Sequence, residues 1–171
     1  QFLRDYARGA LDFAALQAFR IGLDASLAPD TLSAVRAEFE RETLIPAIAP
    51  LAPRLLTELA QRGLTTVLVS ATRSPLVGPV VQALGVDHAI TSCFGQDKVQ
   101  HVQAWLQGLG SSLKDLHESW FFSDSHNDLP LLDVVMHPVA VDADARLQQV
   151  AIDRAWPMMS LRSDVSQSDF L

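Results

Sequence analysis

Apolar residues recur at roughly helical spacing at the start of the chain. Phe2, Tyr6, Leu11, Phe13, Leu16, Phe19 and Leu23 predict helix with a break at Gly9, and Pro29-Asp30-Thr31 opens a second helix carrying Leu32, Val35, Phe39 and Leu44. Pro46, Pro50 and Pro53 interrupt any further helix and suit a hinge, so a domain boundary is placed after residue 45. The pattern then changes. Leu55, Leu56, Leu59 and Ala60 form one helix face that stops at Gly63. Thr65 to Ser70 is a short, β-branched, nearly continuous apolar run, as in a buried parallel strand. Residues 75–84 predict a helix stopped by Gly85, and 88–91 a short strand. Val99, Val102, Trp105, Leu106 and Leu109 share a face of a helix over 97–109. Ser119 to Ser123 predicts another buried strand, 130–135 a short helix, 137–141 a strand, 144–155 a helix and 158–161 an edge strand. The tail 162–171 is polar.

Strand and helix alternate throughout 55–161, which implies an α/β fold with a parallel sheet and right-handed crossovers. Ligands in such sheets bind beyond the C-terminal ends of the strands, so the residues just after each strand carry the candidate chemistry. Composition narrows the partners. A length of 171 residues suits one domain, or one with a small appendage. At 49% hydrophobic and 19% charged the chain is neither disordered nor fibrous. A net charge of -7, from 13 basic against 20 acidic residues, disfavours nucleic acid or an anionic membrane as the main partner. Cys93, the one cysteine, excludes an intramolecular disulfide and a Cys-cluster zinc site, and fits a reducing cytoplasm. No apolar run approaches the ~18 residues that span a bilayer. The stretch Gln1 to Tyr6 has no basic segment followed by an apolar run, unlike a signal peptide. Oligomeric state has no sequence signal here.

Three clusters fall at the predicted sheet edge: Ser70-Ala71-Thr72-Arg73-Ser74, Asp97-Lys98, and Asp124-Ser125-His126-Asn127-Asp128. A hydroxyl, a lysine and a carboxylate pair suit a phosphate held with a hard divalent cation, because Mg²⁺ takes carboxylate oxygens and Lys and hydroxyl donors orient phosphoryl oxygens. Each residue also has a plainer explanation. Asp128, two residues before Pro130, can serve as a helix N-cap. Ser70 can be an ordinary strand-end hydroxyl, Lys98 a solvated lysine, and Cys93 an inert thiol with no neighbouring base; His126 could pass for a metal ligand or general base, but with no second His or Cys at ligand spacing it reads as a loop residue. Asp124 is harder to explain so, because a second acid four residues on repels it unless a cation lies between them.

Taken together, the order of these residues resembles the haloacid dehalogenase superfamily, and within it the phosphoserine-phosphatase-like subfamily IB, with a helical cap early in the chain. The resemblance covers roughly residues 1–161. Val67-Leu68-Val69-Ser70-Ala71-Thr72 is similar to the second motif, Asp97-Lys98-Val99 to the third, and Ser123 to Leu132 to the fourth, a family pattern written G/S-D-S-x-N-D-L-P-L-L. The resemblance implies a Rossmann-like α/β core over 46–161 and a cap over 1–45 that closes on the site. It implies that Ser70 holds the transferring phosphoryl, with Thr72 beside it in the substrate-binding set, and that Lys98 stabilises phosphoryl and nucleophile. Asp124 is then a Mg²⁺ ligand, Asp128 supports the metal directly or through water, and Asn127 orients the phosphate site.

Two departures stand out. The first motif, D-x-D-x-T on the central strand, is absent. Its leading Asp is the nucleophile that forms an aspartyl-phosphate. Asp142-Ala143-Asp144 has the D-x-D spacing but lacks the Thr and leads into the 144–155 helix. The longer glycine-containing flap that usually precedes the third motif is almost missing between Thr91 and Cys93. A gap in the sheet is expected where the central strand belongs, and the chain is expected to be incomplete, through truncation or missing segments, or else to have lost its nucleophile. The implied activity is Mg²⁺-dependent hydrolysis of a small phosphorylated metabolite, a phosphomonoester, by the complete form, with the 171 residues inactive by themselves. The rivals are a phosphotransferase of the same fold and a non-catalytic binding protein.

Overall fold

The structure, a computed structural model, describes residues 2–8 and 10–162. Gly9, the predicted helix break, and residues 163–171 of the polar tail lie outside the described residues. Backbone contacts divide the chain into two compact units, Gln1–Ala47 and Ile48–Leu171.

The first unit is helical. It contains α1 (Phe2–Ala7), α2 (Phe13–Ala25) and α3 (Pro29–Phe39). The Asp12 carboxylate caps α2 by accepting from the Ala15 N–H at 2.9 Å. Pro29 opens α3 at a position where no intrahelical N–H bond is lost. Arg36 of α3 pairs with Asp24 of α2 at 2.8 Å, and the Phe2 and Phe19 rings tilt against each other at 5.6 Å. The predicted helix through Leu44 loosens after Phe39 into a π-helical turn, Glu40–Leu44.

The second unit alternates strand and helix as the pattern predicts. It runs α4 (Ala52–Gln61), β1 (Val67–Val69), α5 (Ser74–Leu84), β2 (His88–Ile90), α6 (Gln96–Gly108), β3 (Trp120–Ser123), α7 (Leu129–Leu132), β4 (His137–Val141), α8 (Ala145–Asp153) and β5 (Met158–Met159). The α4 helix buries Leu55 and Leu59, and Gly85 ends α5 in the left-handed conformation at φ 65°, where a side chain is disfavoured.

All pairings among the described strands are parallel, which settles the class as α/β, and they form two sheets, β1-β2 and β3-β4-β5, in keeping with the gap expected where the central strand belongs. Among the described residues β1 and β3 each pair along one edge only. Burial follows pairing. Strand β4, hydrogen-bonded on both sides, buries Val139, Ala140 and Val141, whereas Val67 to Val69 of β1 are half-buried. The sequence predicts β1 and β3 as buried strands. The structure corrects this, because a strand with an open edge keeps part of its surface in water. The core lies behind β4, where Leu132, Ala140, Leu147 and Ala151 pack with Phe121, Leu129, Ala143 and Trp156. No helix among the described residues is long and apolar enough to cross a membrane.

Candidate active site

Strand β3 ends at a buried serine, and that serine organises the loop that follows. Ser123 Oγ donates to Asp128 Oδ2 at 2.7 Å and accepts from the Ser125 N–H at 3.2 Å. Ser125 in turn starts a single 3₁₀ turn, His126–Asp128, where its Oγ accepts from the Asn127 backbone N–H at 3.3 Å and from Asn127 Nδ2 at 3.2 Å. Pro130 then sits in the first turn of α7, where no N–H partner is needed.

This tight turn sends Asp128 inward, where it meets Lys98 from the first turn of α6. Lys98 Nζ lies 2.7 Å from Asp128 Oδ1 and 2.8 Å from Oδ2. The two residues are only 6% and 7% exposed. Lys98 is therefore not a solvated surface lysine. Asp128 is not an N-cap in the side-chain sense either, since its carboxylate makes no capping bond to α7. A cation in a helix's first turn opposes the helix dipole, and the buried carboxylate offsets that penalty.

Asp124 differs. It is exposed, and its carboxylate has no hydrogen bond or ion pair among the described residues. Ser70 follows β1. Its N–H donates to the Ile90 carbonyl at 2.8 Å, and its Oγ accepts from the Thr72 N–H at 3.0 Å, forming the local turn that a strand-end serine can form. The Ser70 hydroxyl proton is not used in that bond. The Ser70 carbonyl accepts from the Cys93 N–H at 3.3 Å and from its Sγ at 3.6 Å. Burial pushes the Cys93 thiol pKa up. Lys98 pulls it down and Asp128 pushes it up again, so the thiol feels both charges of the buried pair. Thr72 is tied through its carbonyl, which accepts from the Ser92 N–H at 3.1 Å. Gly95, at φ 54°, precedes α6, and a Cβ there would stand 3.9 Å from the Asn127 carbonyl oxygen. The structure thus joins Lys98, Asp128 and Ser123 directly, sets Asn127 against Gly95, and bonds the Ser70 carbonyl to Cys93. Among the described residues no direct bond ties Ser70, Thr72, Asn127 or Asp124 to the pair.

Two functional candidates escape sequence reasoning. His126, read as a loop residue, is 8% exposed, and its Nδ1 lies 2.8 Å from Asp144 Oδ2. Asp144 also caps α8, accepting from Arg146 N–H at 3.0 Å and Leu147 N–H at 2.9 Å. Burial pushes the Asp144 carboxyl pKa up, but hydrogen bonds from the His126 N–H, the Leu147 N–H and the His126 ring outweigh it and hold it below the usual carboxylate range. An acid before a helix was the visible signal; its reach to residue 126 was not.

Among the described residues no group of three or more His, Cys, Asp or Glu side chains converges as a metal cluster. Mg²⁺ does not require one, because it keeps several waters and takes one or two carboxylates with substrate oxygens. Asp124, with its unpaired carboxylate, fits that need. Asp128 fits only a supporting place, since both of its oxygens already face Lys98.

Comparisons with known proteins place the chain in a family. A histidinol-phosphatase of Neisseria meningitidis is 30% identical over 180 residues, which covers 95% of this chain and 81% of that protein. A crystal structure of a Bordetella pertussis protein of unknown function superposes with a TM-score of 0.83 at 32% identity, over 94% of this chain and 79% of that one. A phosphoserine phosphatase solved as a phospho-aspartyl intermediate analogue shares the fold, with a TM-score of 0.64 at 16% identity over 96% of this chain and 79% of that one. The haloacid dehalogenase-like hydrolase family model matches residues 1–133, and the chain belongs to that family.

Proposed function

We propose that these residues form the phosphate-binding and metal-binding part of a Mg²⁺-dependent phosphatase that hydrolyses a small phosphomonoester. The observation that carries this reading is the buried Lys98–Asp128 pair beside an exposed, unpaired Asp124 at the end of β3. The pair fixes a cationic group against the sheet edge, and Asp124 stays free for a cation. The ammonium of Lys98 and the hydroxyl of Ser70 donate to phosphoryl oxygens, Thr72 and Asn127 complete the binding set, and Asp124 holds the metal with Asp128 in support. When bound, Mg²⁺ supplies neutralisation of the charge on phosphate and attacking group. The D-x-D-x-T pattern is not among the 171 residues, so the roles assigned to this chain are binding and orientation, and the attacking carboxylate is not placed on any of its residues. The helical unit Gln1–Ala47 acts as the cap that selects the leaving group. The names of the relatives make histidinol phosphate and phosphoserine the first substrates to try.

The test uses phosphate release from these esters and from p-nitrophenyl phosphate by the full protein that carries these residues. Release is expected to need Mg²⁺, to stop with EDTA, and to be abolished by Asp124→Asn with the circular dichroism unchanged. Release that survives either treatment would overturn the reading.

A further inference from the structure

Asp144 binds two elements with one side chain. Its Oδ1 accepts from the N–H groups of Arg146 and Leu147 at 3.0 and 2.9 Å, which caps α8. Its Oδ2 accepts from the His126 backbone N–H and from His126 Nδ1, each at 2.8 Å. Its own N–H donates to the Asp124 carbonyl at 2.8 Å. Asp124 and His126 flank Ser125, so one residue grips the peptide segment on both sides. A helix cap needs only one carboxyl oxygen, and the second is free for a tertiary bond.

The grip has a firm base. Helix α8 buries Leu147 and Ala151 completely, and both lie in the core with Leu132 and Ala140. An ionised carboxylate only accepts, so His126 Nδ1 carries the ring proton. His126 Nε2 is buried and has no hydrogen-bond partner among the described residues. A buried polar atom left unpartnered costs about 1–3 kcal/mol, so the polar hold on this ring comes from the Asp144 side. The two acids of the loop are held differently. Asp128 is fixed by Lys98 and Ser123. The Asp124 carboxylate has no bond of its own among the described residues, and the Asp124 carbonyl is held by the Asp144 N–H.

We propose that Asp144, acting through His126 and the Asp124 carbonyl, is the positioning residue that aims the Asp124 carboxylate at the cation. The role at the cation rests on the reading above that Asp124 holds Mg²⁺, while the clamp itself does not.

Asp144→Ser separates the two jobs, because serine still caps a helix but is too short to hold His126. His126→Phe removes the ring bond and leaves Asp144 intact. Mg²⁺ titration calorimetry and amide hydrogen exchange on the full chain read the result. Asp144→Ser is expected to weaken Mg²⁺ binding roughly 10-fold or more, the range for lost outer partners of metal ligands, and to speed exchange at the His126 amide. Val77→Ala, which destabilises the buried face of α5 instead, is expected to leave Mg²⁺ affinity unchanged. Wild-type affinity together with wild-type His126 exchange in Asp144→Ser would overturn the proposal, as would an equal loss of affinity in Val77→Ala. If the unaltered chain binds no Mg²⁺, the functional reading fails and exchange alone decides: faster exchange at His126 keeps the clamp, and unchanged exchange removes it. If Asp144→Ser does not fold, His126→Phe is subject to the same measurements, with a loss of affinity supporting the proposal and no loss of affinity or protection overturning it.

Discussion

Replacing Lys98 by Met keeps most of the side chain's length and removes its charge. The variant leaves the Asp128 carboxylate buried with Ser123 Oγ as its remaining side-chain donor. At 2.7 Å an effective dielectric near 20 gives the intact pair an attraction of ~6 kcal/mol. Desolvation takes back several kcal/mol for each ion, so the pair as a whole contributes little net stability. Losing one partner is different, because the other keeps its desolvation cost without compensation, and about 3–5 kcal/mol is lost. At roughly 2–4 °C per kcal/mol for a protein of this size, Lys98→Met should lower Tm by about 6–20 °C. Asp128→Asn should cost a similar amount, now by stranding the ammonium. The double variant Lys98→Met/Asp128→Asn has no buried charge and keeps an amide oxygen for Ser123. It should therefore be more stable than Lys98→Met alone, with a coupling energy of at least about 2 kcal/mol. Urea denaturation at pH 7 with EDTA, comparing midpoints at equal m-values, measures all four corners of the cycle. A loss below about 1 kcal/mol in Lys98→Met, or a double variant equal to the sum of the singles, would refute the reasoning.

Acid should weaken the β1-β2 sheet at Asp87. Hydrogen bonds from the Thr66 N–H and hydroxyl, both 2.8 Å, hold its carboxyl below the usual carboxylate range. The folded pKa lies under the unfolded value of about 3.9, so this stabilisation is present above that pH and is lost as pH falls through the folded pKa. Asp87→Ala should lower the urea midpoint at pH 7, and the gap to the unaltered protein should narrow towards pH 3; a gap that is constant or widens contradicts the assignment. Cys93, fully buried and with its thiol pKa raised first by that burial, should react with an aromatic disulfide reagent at pH 8 only as fast as the protein opens. Labelling within mixing time in the native protein would show the thiol is accessible.

The helices and strands are legible because each has a local cause. Gly63 and Gly85 stop α4 and α5, and the apolar runs at 67–69 and 120–122 stand out from the helical spacing around them. The split into two sheets is legible only from what the chain lacks, the central-strand motif, and not from any one segment present. Val67 to Val69 and Trp120 to Phe122 look like interior strands because they are apolar, but half-burial is decided by whether a second neighbour pairs with them, and pairing is not written in a strand's own residues. The π-helical turn at Glu40–Leu44 is hidden for a related reason. No glycine or proline in Glu40–Leu44 marks the change of pitch.

The candidate site divides along the same line. Lys98 and Asp128 could be placed near one another because both follow strand ends, and parallel strands bring their C-terminal ends to one edge. Their burial and pairing could not be read, since Lys98 and Asp128 each carry a plausible local role, one on a helix surface and one as a cap. Asp144 shows why local roles mislead. As an N-cap it is fully explained by the helix after it, yet that explanation uses one oxygen of two. The unspent oxygen is a demand for a donor, and in a folded interior that demand is met by whatever the topology brings near, here the N–H and ring of His126. A residue that satisfies its local role with an acceptor to spare is therefore a better lead to a tertiary contact than one with no local role, and the acids just after strand ends are the places to count oxygens first.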